Sequence, residues 1–140
     1  MTVTKSKEII FFIDGASQGN PGHSGIGIVA VDTRGKFIKE ISEYIGEATN
    51  NVAEYTALNF ALAEALILNS KNISIKSDSE LLVKQLNGEY KVKSNNIKSL
   101  YLQAKHLIEG FNNVKVSYIQ RTKNKEADRL AKLAIRKRKK

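Results

Sequence analysis

The chain has 140 residues, 41% of them hydrophobic, which is enough to form the core of one domain. No cysteine is present, so disulfide bonds, thiolate metal sites and cysteine nucleophiles are excluded. The net charge is +9, and residues 121–140 carry ten Lys or Arg against two Asp or Glu, a distribution that favours binding to a polyanion.

The apolar runs of the chain are short. The longest apolar run covers residues 9–13, far short of a membrane span, and residues 1–8 contain no secretory signal. We therefore expect a protein without membrane contact, and the lack of cysteine suits a cytoplasmic location. For residues 136–140, two readings are open: a contact with nucleic acid, or a solvated basic tail.

Apolar periodicity and turn residues predict alternating strands and helices along the chain. Strands are predicted at residues 8–13, 25–31, 36–45, 72–77 and 114–119. Helices are predicted from residue 50 or 51 onward, at residues 79–86 and 95–110, and after Asn124, which is placed to cap the last of them. The order of elements is therefore β-β-β-α-β-α-α-β-α.

This order predicts an α/β fold built on a five-stranded mixed β-sheet flanked by α-helices. The turn signal at residues 32–35 predicts a hairpin, so the first three strands form an antiparallel meander. The last two strands are entered from helices, which favours parallel pairing with right-handed crossovers. We expect residues 1–140 to form one domain with a basic tail from about residue 136.

Four acidic residues fall where this topology brings chain segments to one edge of the sheet. Asp14 and Asp78 end the first and fourth strands, which run in the same direction. Glu54 and Asp128 lie near the starts of the helices that follow the third and fifth strands, which also run in that direction. Open α/β sheets place their sites at this edge. Like charges held a few ångströms apart raise each other's pKa, and bound divalent cations resolve that conflict. The four residues therefore predict a metal-dependent hydrolytic site.

Each acidic residue also has a structural explanation. Asp14 could be a turn residue, and Asp128 could complement the dipole of its helix. Glu54 could complete a capping box with Asn51, although it also shares the apolar stripe of its helix. Asp78 could cap a helix. Only the convergence of all four favours a site.

The segments that hold these acids resemble the conserved blocks of type 1 ribonuclease H. In chain order they are Asp14-Gly15-Ala16-Ser17 with Asn20-Pro21-Gly22 and Gly25-Ile26-Gly27; Asn50-Asn51-Val52-Ala53-Glu54-Tyr55 with Ala57-Leu58; Ser77-Asp78-Ser79 with Leu82, Gln85 and Gly88; and Arg121, Asn124 and Ala127-Asp128-Arg129-Leu130-Ala131. The blocks occur in the family's order and cover almost the whole chain. The resemblance implies the ribonuclease H fold, which agrees with the topology predicted above.

The resemblance also implies an activity and a cofactor. It implies an endonuclease that hydrolyses the RNA strand of an RNA–DNA hybrid, leaving 5′-phosphate and 3′-hydroxyl ends, with two Mg²⁺ ions for which Mn²⁺ can substitute. By this analogy Asp14 would bridge the two ions and Asp128 would help to hold the ion that activates water. Glu54 and Asp78 would help to hold the ion near the leaving oxygen.

Twelve further residues are expected to contact the hybrid by the same analogy. They are Gly15, Ala16, Ser17, Asn20, Asn50, Asn51, Ser79, Glu80, Tyr90, Asn95, Arg121 and Asn124. Backbone groups of residues 15–17 would read the 2′-hydroxyl, which distinguishes RNA from DNA. The asparagines could equally be turn or cap residues, and Tyr90 could stack on a deoxyribose or pack over the following helix.

The chain departs from the family pattern at two places. Arg121 stands near the position of a loop histidine that many relatives carry, and arginine stays protonated, so it can neutralise a phosphate but cannot transfer a proton. The segment 79–110 looks too short for the basic protrusion of some relatives, and we expect no hybrid-binding domain before Glu8. The basic C-terminal helix and tail could compensate, so trimming residues 136–140 should weaken binding and flatten its salt dependence.

Two other functions are compatible with the sequence. One is a nucleic-acid-binding module on the same fold without catalysis, which the presence of all four acids disfavours. The other is a nuclease that also acts on double-stranded RNA or structured DNA. In each case we expect a monomer.

Overall fold

The computed structural model of the chain describes residues 8–138. Within that range one sheet contains five strands: β1 (Ile9–Gln18), β2 (Gly22–Asp32), β3 (Phe37–Ala48), β4 (Asn72–Ser77) and β5 (Asn113–Tyr118). The four α-helices of the same range are α1 (Asn50–Ile67), α2 (Glu80–Leu86), α3 (Asn95–Ile108) and α4 (Lys125–Arg136), and a single 3₁₀ turn, Arg121–Lys123, precedes α4.

The strand order in the sheet is β3-β2-β1-β4-β5. The pairs β1–β2 and β2–β3 are antiparallel, and the pairs β1–β4 and β4–β5 are parallel. The predicted mixed sheet, with three antiparallel strands followed by two parallel strands, is thus confirmed. No helix in the described part of the chain is both long and apolar enough to cross a membrane.

The first strand is longer than its sequence predicts. Its parallel pairing with β4 ends at Ile13, opposite Ser77, but its antiparallel pairing with β2 continues to Gln18, opposite His23. The extension consists of small and polar residues, which carry no apolar signal for a strand. As a result Asp14 does not end its strand; it lies at the point where β1 leaves the parallel ladder.

The two faces of the sheet are covered by different helices. Ile26 and Ile28 of β2 belong to the core cluster that includes Leu58 of α1. Residues at alternate positions of a strand point to opposite faces, so Gly25 and Gly27 face the other side. There α4 packs so closely that a Cβ at Gly27 would overlap with backbone atoms of the helix.

The apolar residues that recur at helical spacing along α4 are all buried: Ala127, Leu130, Ala131, Ala134 and Ile135. The proposed capping box at the start of α1 is wrong. The helix begins at Asn50, and Thr49 caps it by accepting a hydrogen bond from the Val52 N–H at 3.2 Å. Glu54 is therefore free for another role at this end of the helix.

Candidate active site

Three carboxylates meet at the edge of the sheet. Asp14 lies where β1 leaves the parallel ladder, Asp78 follows the last residue of β4, and Glu54 is the fifth residue of α1. Each offers one carboxylate oxygen, and these oxygens all lie within 4.8 Å of one another. The topology thus brings together three acids that are up to 64 residues apart in the chain.

Gly15 allows α1 to approach β1 closely enough to form this cluster. A Cβ at Gly15 would overlap with the main chain of Ala53 and Glu54. The Gly15 N–H donates a hydrogen bond of 3.1 Å to Glu54 Oε1 and so orients that carboxylate toward Asp14. The Gly15 amide is therefore engaged within the protein, and the predicted contact of Gly15 with a hybrid would use its carbonyl.

The cluster is electrostatically unfavourable in the absence of a cation. Burial raises the pKa of Asp14 well above its ordinary value, and the charges of Glu54 and Asp78 raise it further. Burial, followed by the charge of Asp78, also raises the pKa of Glu54, and the Gly15 N–H partly opposes this rise. No ion pair among residues 8–138 involves any of the three acids.

The donor set fits a hard divalent cation. It consists of carboxylate oxygens alone, with no sulfur and no imidazole among the three clustered residues. Such oxygen donors suit Mg²⁺, Ca²⁺ or Mn²⁺ rather than softer metals. A cation held here would also offset the mutual repulsion of the three carboxylates. No basic side chain of the described residues does so through an ion pair.

Asp128 lies at the rim of this cluster rather than within the set of three. After burial and the charges of Glu54 and Asp78, the hydrogen-bonding capacity and charge of the Asp128 side chain also raise the pKa of Asp14. On its other side, Asp128 Oδ2 lies 3.1 Å from Lys132 Nζ, one helical turn further along α4. Lys132 is not among the residues predicted from the sequence, although its spacing of four residues from Asp128 on a helix indicates such a pair.

Asn124 lies beneath the cluster and is buried, with 1% of its surface exposed. Its side-chain N–H₂ group donates to the Ile13 carbonyl at 2.8 Å and to Asp78 Oδ2 at 3.3 Å. It stands at the N-cap position of α4 as expected, but its side chain makes no capping hydrogen bond. Its burial also contradicts the prediction that Asn124 contacts a hybrid directly.

The predicted contact residues of the loop before β2 and of the α1 start lie side by side. Asn20 Oδ1 accepts a hydrogen bond of 2.9 Å from the Asn50 N–H, and Asn51 is the next exposed residue of the helix. Nearby, the Ser17 and Ser24 hydroxyls lie 2.6 Å apart. Asn20, Asn50 and Asn51 form an exposed polar surface at the start of the helix that carries Glu54, whereas Ser17 is half-buried and Ser24 is buried.

The residues after Asp78 begin α2. Ser79 caps this helix by accepting a hydrogen bond from the Leu82 N–H at 3.3 Å, and its own N–H donates to Ser77 Oγ at 3.0 Å. Glu80 forms an exposed ion pair with Lys84 at 3.1 Å. Both predicted contact residues therefore have internal partners while lying beside the carboxylates.

Three other predicted contact residues, Tyr90, Asn95 and Arg121, are exposed, whereas Ala16 is half-buried. Tyr90 is half exposed and lies under Lys84 Nζ, 5.1 Å from its ring centroid, at the wall of an open cavity of about 380 Å³. Asn95 is the exposed first residue of α3. Arg121 is exposed on the 3₁₀ turn, and its charge partly opposes the rise in the pKa of Glu54. This position places a basic group beside the carboxylates.

Comparison with known proteins adds an independent line of argument. A family model described as "Reverse transcriptase-like" matches residues 12–134. Ribonuclease HI of Halobacterium salinarum is 37% identical over 89% of this chain. The chain spans 62% of that relative's length, and 35% of the length of three relatives from Mycobacterium bovis and Mycobacterium tuberculosis.

Two solved structures match closely in three dimensions. The crystal structure of RNase H1 from Halobacterium salinarum superposes with a TM-score of 0.90 at 36% identity, covering 92% of this chain and 98% of that one. LC11-RNase H1 in complex with an RNA/DNA hybrid superposes with a TM-score of 0.88 at 42% identity, covering 92% of this chain and 97% of that one. The similarity thus extends over nearly the whole described fold.

Proposed function

The chain belongs to the ribonuclease H family, and from that membership we propose that it is an endonuclease that hydrolyses the RNA strand of RNA–DNA hybrids. The observation that carries the proposal is the cluster of Asp14, Glu54 and Asp78, whose oxygens lie within 4.8 Å of one another and which form no ion pair with a basic side chain of residues 8–138. A related protein of similar structure, LC11-RNase H1, is known in complex with an RNA/DNA hybrid.

The cofactor in this proposal is Mg²⁺, with two ions at the site when the hybrid is bound and with Mn²⁺ able to substitute. Asp14, Glu54 and Asp78 would hold the ions together with Asp128 at the rim. When bound, such ions neutralise phosphate charge and generate a nucleophilic water at neutral pH. The all-carboxylate donor set supports this choice, because Mg²⁺ prefers oxygen ligands and retains waters.

The reaction is the hydrolysis of a phosphodiester. A water oxygen forms a new bond to phosphorus while the bond from phosphorus to the 3′ oxygen breaks, and that oxygen takes up a proton. The products carry 5′-phosphate and 3′-hydroxyl ends. In this chain Gly15 holds Glu54 in place through its N–H, and the Arg121 guanidinium supplies a fixed positive charge beside the site that can neutralise a phosphate.

We assign hybrid recognition to the exposed polar surface at the start of the helix that carries Glu54. Asn20, Asn50 and Asn51 are adjacent and exposed, which suits contacts in the shallow minor groove where 2′-hydroxyls are displayed. Tyr90 projects from the wall of a cavity that Lys91 and Lys93 also line, which suits a contact with the DNA backbone. Ala16, Ser17, Ser79, Glu80 and Asn95 stay in the proposed contact set.

The proposal is tested by cleavage of labelled nucleic acids. An RNA–DNA hybrid, a double-stranded RNA and a DNA duplex are incubated in parallel with Mg²⁺, with Mn²⁺ or with a chelator, and the ends of the products are identified. We expect cleavage of the RNA strand of the hybrid only when a divalent cation is present. Cleavage of double-stranded RNA at a similar rate would widen the substrate class, and an uncut hybrid that still binds would indicate a non-catalytic module.

Matched variants separate the site from the rest of the protein. Asp128→Asn removes a proposed cation-holding group from α4, whereas Glu126→Gln changes an exposed carboxylate on the same helix that pairs with Arg129 at 3.0 Å. We expect the first variant to lose cleavage and the second to retain it. Equal rates for the two variants would contradict the assignment of Asp128.

We also propose that the protein acts as a monomer in the cytoplasm. The absence of cysteine and the completeness of the carboxylate cluster within one chain support this proposal. Light scattering coupled to size-exclusion chromatography tests the monomer, and a stable dimer at micromolar concentration would contradict it.

A further inference from the structure

Asn124 connects three segments that carry the proposed cation-holding acids. Its side-chain N–H₂ group donates to the carbonyl of Ile13, the residue that precedes Asp14, and to the carboxylate of Asp78. Its backbone carbonyl accepts a hydrogen bond of 3.1 Å from the Asp128 N–H. One buried residue therefore contacts β1, the end of β4 and the first turn of α4 at the edge where the acids meet.

The geometry of Asn124 is not that of an ordinary helix cap. A capping asparagine uses its side-chain oxygen to accept a hydrogen bond from an N–H in the first turn of the helix. Here no such bond forms, and Asn124 Oδ1 has no hydrogen-bond partner among the described residues although it is buried. A buried acceptor without a hydrogen-bond partner is unfavourable. The two hydrogen bonds that the side-chain N–H₂ group donates therefore hold Asn124 in this orientation.

We propose that Asn124 is a positioning residue that sets the affinity of the carboxylate site for divalent cations. Its side-chain N–H₂ group fixes the orientation of the Asp78 carboxylate and the position of the Ile13 main chain, which precedes Asp14. Its backbone carbonyl fixes the first turn of the helix that carries Asp128. Hydrogen bonds to carboxylates that hold a metal commonly change metal affinity by about 10- to 100-fold. Because it is 1% exposed, Asn124 acts through these groups and not by touching nucleic acid. This inference rests on the proposed function.

The test measures cation binding without nucleic acid. Mg²⁺ is titrated into the full chain while backbone amide chemical shifts are followed by NMR, which yields a dissociation constant for wild type and for each variant. Asn124→Ala removes the donor. Asn124→Ser provides a favourable N-cap residue but is too short to reach both Ile13 and Asp78. Asn87→Ala is the matched control, because the Asn87 amide donates to the Val116 carbonyl at 3.2 Å, where it contacts a strand outside the cluster.

We expect Asn124→Ala and Asn124→Ser to raise the Mg²⁺ dissociation constant by about tenfold or more, and Asn87→Ala to leave it unchanged. In cleavage assays, both Asn124 variants should lose rate at low Mg²⁺ and recover most of it at high Mg²⁺, with KM for the hybrid unchanged at saturating Mg²⁺. If Asn124→Ala does not fold, as judged by circular dichroism, Asn124→Ser carries the test.

Three results would overturn the inference: an unchanged Mg²⁺ dissociation constant in a folded Asn124 variant, recovery of wild-type affinity by Asn124→Ser, or a higher KM for the hybrid at saturating Mg²⁺. Recovery by serine would reduce Asn124 to a helix cap, and the higher KM would make it a substrate contact. The NMR titration does not depend on hydrolysis. A wild-type protein that binds Mg²⁺ but leaves hybrids intact would therefore refute the proposed function. The role of Asn124 would still be decided by the Mg²⁺ dissociation constants of wild type and variants.

Discussion

The two glutamates of α1 show how one helix uses the same side chain in opposite ways. Glu64 is buried and lies 2.7 Å from Lys39 Nζ on the neighbouring edge strand β3. Glu54, ten residues earlier, faces Asp14 and Asp78 and takes part in no ion pair of residues 8–138. The protein itself supplies an ion-pair partner for Glu64, whereas Glu54 has only the charge of Arg121 nearby, and full compensation of its charge requires a proton or a bound cation.

This difference separates a carboxylate that stabilises the fold from one that serves a site. Burial alone does not distinguish the two glutamates, because Glu64 is buried and burial is also the main cause of the raised pKa of Glu54. The distinguishing property is whether the surrounding elements contribute a basic partner. At the Glu64 end β3 contributes Lys39, and at the Glu54 end β1 and β4 contribute two more acids.

The largest expected effect is on catalysis. Asp14→Asn removes one acid of the cluster, and we expect kcat on a labelled hybrid with Mg²⁺ to fall by at least about 10³-fold, equivalent to about 4 kcal/mol of transition-state stabilisation. Glu64→Gln should change kcat by less than about twofold, because its partner Lys39 is outside the site. Comparable losses in the two variants would remove the contrast between the two ends of α1.

The second effect is on the pH dependence of stability in the absence of divalent cations. The pKa values of Asp14 and Glu54 are raised above their ordinary values of 3.8 and 4.5. Groups with raised values contribute stability that is fully present below the unfolded-state pKa and is lost as pH rises toward the folded-state pKa. Cation-free wild type should therefore lose stability as pH rises from about 4 through neutral pH, at no more than about 1.4 kcal/mol per pH unit for each group.

Comparison with Asp14→Asn isolates this effect from the other titrating groups. At pH 4 the wild type and the variant should unfold at similar denaturant concentrations. By pH 8, in the presence of a chelator, the variant should be more stable by about 2–3 kcal/mol, because the wild type must take up a proton at Asp14 on folding and the variant need not. A stability difference that does not change with pH would indicate that Asp14 is not held in a repulsive cluster.

A third, smaller effect is stabilisation by the cation. At a Mg²⁺ concentration ten times its dissociation constant, wild type should gain about 1.4 kcal/mol of unfolding free energy. Asp14→Asn should gain much less, and Glu64→Gln should gain as much as wild type. Thermal unfolding with and without Mg²⁺ provides the measurement. Equal gains for all three proteins would place the cation elsewhere.

The smallest effect concerns the structural ion pair. Lys39→Ala should lower the free energy of unfolding by about 1 kcal/mol at neutral pH, a modest value because the lysine side chain is 47% exposed and therefore screened by solvent. The Mg²⁺ dependence of cleavage should be unchanged. Chemical denaturation monitored by circular dichroism measures the loss, and a shifted Mg²⁺ requirement would contradict the separation of the two ends.

The sequence by itself determined the order, type and direction of the strands and the edge at which the acids lie. Alternating apolar residues, helical stripes and turn residues are local signals, and the handedness of crossovers converts their order into a topology. That is why Asp14, Glu54 and Asp78 could be assigned to one site although they lie in separate segments. Asp128 followed by the same argument and lies at the rim of the cluster.

Only the tertiary structure decided which polar groups meet. The cap of α1 is Thr49 rather than Asn51, the Gly15 amide is used by Glu54, and Asn124 reaches Ile13, 111 residues away in the chain. Hydrogen bonds form or fail over differences of a few tenths of an ångström between segments that no local pattern relates. The periodicity of a sequence can predict that such segments lie at the same edge of the sheet. Close packing sets the distances that decide which of their polar groups form hydrogen bonds.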